Sequence, residues 1–225
     1  MALNMGGEAP FADREEAGAL LAERLASLGL RDPIVLGLAR GGLPVAREVA
    51  RRLGGRLEVL VTRKIGFPAQ PELGVGAIAE GGEPVFDTAL MRRLGLTEDD
   101  LADVVAAERA ELRRRVEVYR GRRRLPELAG ADVVVVDDGL ATGGTARAAL
   151  RAVRAAGPGR LVLAVPVGAP ETVESLRDEA DEVVAVITPR DFFAVGQWYT
   201  EFGQLTDEDV LDVLGAPHGR KEEPG

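Results

Sequence analysis

Four consecutive valines, Val133 to Val136, run directly into two aspartates and a loop of small residues, Asp137-Asp-Gly-Leu-Ala-Thr-Gly-Gly-Thr145. An apolar run of this kind, bounded by turn residues, reads as a strand buried on both faces, as in a parallel sheet with helices on either side. Its two carboxylates then emerge at the carboxyl end of the strand, and the paired glycines open the next helix.

A second junction upstream is built alike. Gly37-Leu-Ala-Arg-Gly-Gly42 follows the apolar run Pro33 to Leu38 and mirrors Gly139-Leu-Ala-Thr-Gly-Gly144. Paired glycines let backbone N–H groups approach an anion, and the helix that follows presents its positive end to the same charge. Two such loops can hold two phosphate groups apart. Neither is a Walker A loop, since no Gly-Lys-Ser/Thr follows, and neither has the spacing of the dinucleotide fingerprint. Carboxylates beside a phosphate cradle are consistent with a ligand that also offers hydroxyls or carries a metal ion, as a ribose phosphate with Mg2+ does. The simpler alternative is a helix N-cap preceded by a solvated acid pair.

The remaining chain supports an α/β fold: a doubly wound, mostly parallel sheet flanked by helices. Helices are expected at Ala12 to Leu28, Gly41 to Leu53, Thr97 to about Arg120, Thr145 to Ala156 and Glu171 to Asp178. Further strands are expected at Leu57 to Thr62, Leu161 to Val167 and Val183 to Ile187. Gly66 to Gly82 is rich in glycine and proline and reads as a long mobile loop, closing on a short strand at Ala77 to Ala79. In such sheets ligands sit where the strand order reverses, so the loops after Leu38 and Val136 are the places to look.

Composition removes several chemistries. The 225 residues include no cysteine and one histidine, His218 in the polar tail, which excludes thiolate catalysis, disulfides and a histidine-based zinc site or triad. A net charge of -9 argues against non-specific nucleic-acid binding. No segment is long and apolar enough to span a membrane and the start does not resemble a signal peptide, so a cytoplasmic protein is expected. All but two of the 28 basic residues are arginine, a bias compatible with a thermophile or a GC-rich genome, and Lys64 is the single lysine outside the tail.

The segment Val133 to Thr145 resembles the 5-phosphoribosyl-1-pyrophosphate (PRPP) motif of type I phosphoribosyltransferases, its ending being most similar to the adenine enzymes. The likeness covers residues 33 to 187 well. It implies that the type I fold spans residues 11–189, with a helical insertion at 88–124. A hood segment at 190–214, a flexible start at 1–10 and a disordered tail at 215–225 complete the expected division. It implies that Asp137 and Asp138 hold the ribose hydroxyls, and Mg2+ mainly through PRPP and water, while Ala141, Thr142, Gly143, Gly144 and Thr145 wrap the 5-phosphate. Ala39, Arg40, Gly41 and Gly42 correspond to the pyrophosphate loop, where the family often has a non-proline cis peptide. Arg63 and Lys64 are placed to neutralise the departing pyrophosphate, and Glu80 matches by position the acid/base glutamate of the adenine enzymes, although a glutamate beside two glycines also reads as a surface turn. The acid/base aspartate of hypoxanthine-type enzymes is replaced by Ala141.

In Arg190 to Tyr199, Phe193 or Trp198 could stack on an acceptor base, or simply pack a C-terminal lobe. Arg120 to Arg124 reads as a solvated helix end, with a phosphate or RNA contact as the sharper alternative. The apolar stripe before it suits internal packing or a face for a homodimer or higher homo-oligomer. The implied activity is phosphoribosyl transfer to a nitrogenous, purine-like acceptor with release of pyrophosphate; the alternative is a PRPP-binding regulator without turnover.

Overall fold

A computed structural model describes residues 9–215, and the expectations for residues 1–8 and 216–225, His218 included, lie outside them. Seven strands form one sheet in the order β4-β3-β2-β1-β5-β6-β7. They are β1 (Ile34–Ala39), β2 (Arg56–Phe67), β3 (Gln70–Ala79), β4 (Val85–Phe86), β5 (Asp132–Val136), β6 (Arg160–Val167) and β7 (Glu182–Ile187). β2, β1, β5, β6 and β7 are parallel neighbours, and β3 and β4 add an antiparallel edge. The chain steps from β1 to β2 on one side and later returns to β5 on the other. The order therefore reverses between β1 and β5, as the two glycine loops suggested.

Helices cover both faces. α1 (Arg14–Ala26) and α2 (Gly42–Leu53) pack on one face, where Leu21, Leu25, Val45 and Val49 meet Val35, Val134 and Val162. α5 (Gly144–Ala155) lies on the other face, with Ala146, Ala149, Leu150 and Val153 against Leu36, Leu38, Leu60 and Val135. The four valines of β5 divide between these two cores, which is why none of them could be polar. The shorter α3 (Thr88–Leu94), α6 (Pro170–Ser175) and α7 (Asp207–Leu214) complete the set.

The expected helix after Thr97 enters through a 3-10 turn (Asp99–Leu101) and continues as α4 (Ala102–Arg120). Thr97 and Asp100 cap it reciprocally through their side chains. Its apolar stripe packs internally: Val104, Val105, Leu112, Val116 and Tyr119 join a core with Val59, Val61 and Ile65 of β2.

One expectation is corrected. Gly66 to Gly82 is chiefly the second arm of a β-hairpin, β2 turning at Pro68-Ala69 into β3. The glycines there answer close backbone approaches. A β-carbon on Gly66 would stand 2.4 Å from the Pro71 carbonyl oxygen, and one on Gly76 would stand 2.7 Å from that of Val85. Gly66 also sits at a register shift in the ladder, where a glycine eases the bulge. Glycine density signals tight packing as readily as looseness, and here buried Val75, Ala77, Ile78 and Ala79 decide for a strand.

Candidate active site

The two glycine loops leave the sheet side by side and touch. β1 and β5 are in register with Gly37 opposite Val136, so the loops begin at the same height. A β-carbon on Gly42 would lie 2.5 Å from the Val136 carbonyl oxygen, and one on Gly41 would lie 2.1 Å from Oδ2 of Asp138. Only residues without a side chain let the first loop pass beneath the second. The Ala39–Arg40 peptide is cis, as the resemblance implied.

Gly143, at φ 73°, turns the second loop into α5, and the Thr172 hydroxyl steadies that turn by donating to the Ala141 carbonyl at 2.6 Å. Side chains of Asp13, Asp87 and Thr206 cap α1, α3 and α7. α2 and α5 have neither a side-chain cap nor an acid in the first turn. Both therefore present positive dipole ends at the mouth between β1 and β5.

Asp137 and Asp138 stand at that mouth, each with one oxygen engaged. Asp137 Oδ1 accepts from the Asp138 backbone N–H at 2.9 Å, and Asp138 Oδ2 accepts from Arg14 Nε at 2.9 Å. Asp137 Oδ2 and Asp138 Oδ1 accept from no further N–H or hydroxyl of the described residues, and the two carboxyls lie close enough to hydrogen-bond each other when one is protonated. Burial raises the proton affinity of both acids. For Asp137 the charge of Asp138 adds to the rise, and for Asp138 the guanidinium of Arg14 works against it.

The segment between β7 and α7 crosses the mouth as a strap. Val195 packs on Gly139, the Tyr199 hydroxyl donates to the Asp138 carbonyl at 2.6 Å, and the Phe202 ring lies 3.9 Å beneath the Arg14 guanidinium. Leu205 supplies a carbonyl that accepts from Arg40. Arg40 therefore points to the strap and toward Asp207, which is 3.9 Å away and also accepts from the Tyr119 hydroxyl at 2.5 Å. Phe193 is 88% exposed on a turn stapled by Gln197, whose side-chain oxygen accepts from the N–H groups of Phe193 and Ala194. Trp198 instead packs inward, stacked on Phe192 at 6.4 Å.

Arg63 and Lys64, adjacent in β2, point to opposite faces. Lys64 joins Thr142, Gly144, Thr145, Arg147 and Arg151 around a cleft of about 750 Å³ between the hairpin and α5. It donates to the Glu72 carbonyl at 2.9 Å. Arg63 faces α4 and pairs with Glu108 at 2.6 Å. Glu80 lies at the end of β3 and pairs with Arg120, whose side chain is 1% exposed. Arg120 is thus a buried partner rather than part of a solvated basic run.

Sequence reasoning missed Arg14 and Tyr199 as neighbours of the acids. One signal for Arg14 was present: a cation in the first turn of a helix is disfavoured by the dipole and calls for a specific partner. Among the described residues no group of three or more acids or histidines is placed to hold a metal ion, and no helix is long and apolar enough to cross a membrane.

A family model for the phosphoribosyl transferase domain matches residues 13–199. A Mycobacterium tuberculosis protein whose name assigns it provisionally to the phosphoribosyl transferases is 47% identical over 216 residues, covering 96% of this chain and 48% of its own length. The chain therefore spans about half the length of the curated relatives it matches. The crystal structure of TT1426 from Thermus thermophilus is similar throughout, at 52% identity and a TM-score of 0.77, covering 91% of this chain and 97% of that one.

Proposed function

Since the chain belongs to the phosphoribosyl transferase domain family, we propose that it binds Mg-PRPP across the two glycine loops. It transfers the phosphoribosyl group to a nitrogenous, purine-like acceptor and releases pyrophosphate. The observation that carries this reading is the pair of open carboxylate oxygens, one on Asp137 and one on Asp138, set between two uncapped helix N-termini. A vicinal diol flanked by two phosphate groups has the complementary pattern of donors and charges.

In this reading the N–H groups of Ala141 to Thr145 bind the 5-phosphate, and the loop Ala39 to Gly42 receives the pyrophosphate. Lys64, across the cleft from Thr142 and Thr145, supplies a cation on the side of the second loop. Arg40 and Arg63 reach the ligand only by leaving Leu205 and Glu108, their present partners. Glu80 is likewise engaged by Arg120, which removes it from the set of free bases. The hard oxygens of two aspartates suit Mg2+ but do not by themselves enclose it, so Asp137 and Asp138 would hold the ion together with ligand oxygens and water. Held there, the ion would supply positive charge to offset that of the leaving pyrophosphate. The strap forms the hood, and Phe193, exposed on a stapled turn, offers an aromatic face to the acceptor.

The test is pyrophosphate release from Mg-PRPP against a panel of adenine, guanine, hypoxanthine, xanthine, uracil and orotate. Release with one purine supports the reading. Tight PRPP binding without release from any acceptor replaces it with a PRPP-binding regulator.

A further inference from the structure

The geometry points to Arg14, outside both glycine loops, as a positioning residue that fixes Asp138 for the ribose; this rests on the PRPP reading above. Arg14 sits in the first turn of α1, where Glu15 and Glu16 complement the dipole and a cation opposes it. Three contacts offset that position. Nε donates to Asp138 Oδ2 at 2.9 Å, Nη1 donates to the Gly203 carbonyl at 3.0 Å, and the guanidinium lies over the Phe202 ring at 3.9 Å.

Both members of the ion pair are largely withdrawn from water, with side-chain exposures of 11% for Arg14 and 14% for Asp138. Among the described residues no other arginine or lysine pairs with Asp137 or Asp138. Two adjacent carboxylates with little solvent repel one another, and a single fixed cation can hold one of them charged and in one rotamer. By occupying Oδ2, Arg14 leaves Oδ1 as the atom of Asp138 available to a ligand. It also ties that choice to the strap, because the same guanidinium touches Phe202 and Gly203. One side chain thus sets the hood and the ribose acids in register.

The test is calorimetric titration of the full chain with Mg-PRPP and, separately, with metal-free pyrophosphate, which has phosphates but neither the ribose nor the ion that the two acids would hold. Arg14→Met keeps an apolar stem over Phe202 and removes the charge. It is expected to weaken Mg-PRPP by roughly tenfold or more while leaving metal-free pyrophosphate within about twofold. Arg14→Lys keeps the charge but cannot span Asp138, Gly203 and the Phe202 face at once, and is expected to weaken Mg-PRPP by about threefold or more. Combining Arg14→Met with Asp138→Asn should add little to the loss from Asp138→Asn alone, since both changes remove one coupled unit.

Unchanged Mg-PRPP affinity in Arg14→Met overturns the assignment. So does an equal loss for both ligands, which marks a general structural role, or a fully additive double variant. Should Arg14→Met fail to fold, Arg14→Lys decides: a Mg-PRPP loss of about threefold or more with metal-free pyrophosphate unchanged supports the assignment, and unchanged Mg-PRPP affinity overturns it. Failure of the wild type to bind Mg-PRPP overturns the functional reading itself and is seen before any variant is compared.

Discussion

The carboxylate of Asp138 lies over the bare Cα of Gly41, so close that a β-carbon there would stand 2.1 Å from Oδ2. Gly41→Ala must displace either Asp138, with its Arg14 partner, or the loop that holds the Ala39–Arg40 peptide. Mg-PRPP affinity is expected to fall by about tenfold or more, with stability lowered by about 1–3 kcal/mol, the usual cost of overpacking. Calorimetry and urea denaturation check the two parts.

Asp137 and Asp138 oppose stability and binding to each other. Burial raises the proton affinity of both, so the ionised pair destabilises the fold increasingly as pH rises through the folded values. Asp137→Asn should therefore raise the unfolding temperature at neutral pH and lose that advantage on acidification, while abolishing Mg-PRPP binding. For the same reason wild-type binding should weaken on acidification above the ordinary aspartate value of 3.8. Titrations from about pH 8 to about pH 5, compared with urea melts, test both signs.

Lys64 and Arg63 should separate function from structure. Lys64→Met removes the cation facing the second loop and is expected to lower kcat/KM by about 10²-fold with little change in stability. Arg63→Met leaves Glu108 without its partner and should loosen the hairpin against α4, with a smaller kinetic effect. Steady-state kinetics and thermal melts on both variants decide.

Arg120 and Glu80 form a buried pair in which Arg120 Nε and Nη1 and Glu80 Oε2 lack partners. Arg120→Met is expected to cost about 3 kcal/mol by stranding the carboxylate, and adding Glu80→Met should recover most of it. Thermal unfolding of the two variants tests this. An unchanged catalytic rate in the double variant would also remove Glu80 from the chemistry.

Glu111, held chiefly by Arg114 one turn away and, against the cost of burial, also by Arg115, has its carboxyl lowered from 4.5 to about 2. A folded value below the unfolded one gives stability that is present above the unfolded value and lost as pH falls toward about 2. Glu111→Gln should be less stable than wild type at neutral pH and converge with it in strong acid, as read from urea midpoints.

The strand and loop from Val133 to Thr145 were legible because their chemistry is contiguous: burial on both faces, acids at the strand end and glycines at the helix start all fall within one segment. The reversal between β1 and β5 followed from the twin loop. What stayed hidden depends on residues far apart. Arg14 meets Asp138 across 124 positions, and Arg40 meets Leu205 across 165. Nothing local marks such partners except a charge in an unfavourable place. The hairpin was hidden for another reason, since glycine and proline are common to mobile loops and to strands that must bend and pack closely.

Arg14 also reaches Gly203, 189 positions away. The mouth is therefore framed by both ends of the described fold, and a growing chain that stops before the strap can hold every strand yet leave Asp138 without Tyr199 and Arg14 without Phe202 and Gly203. Such contacts of long sequence separation form late. Competence to bind should then arrive abruptly with the final segment, rather than by degrees as the strands assemble.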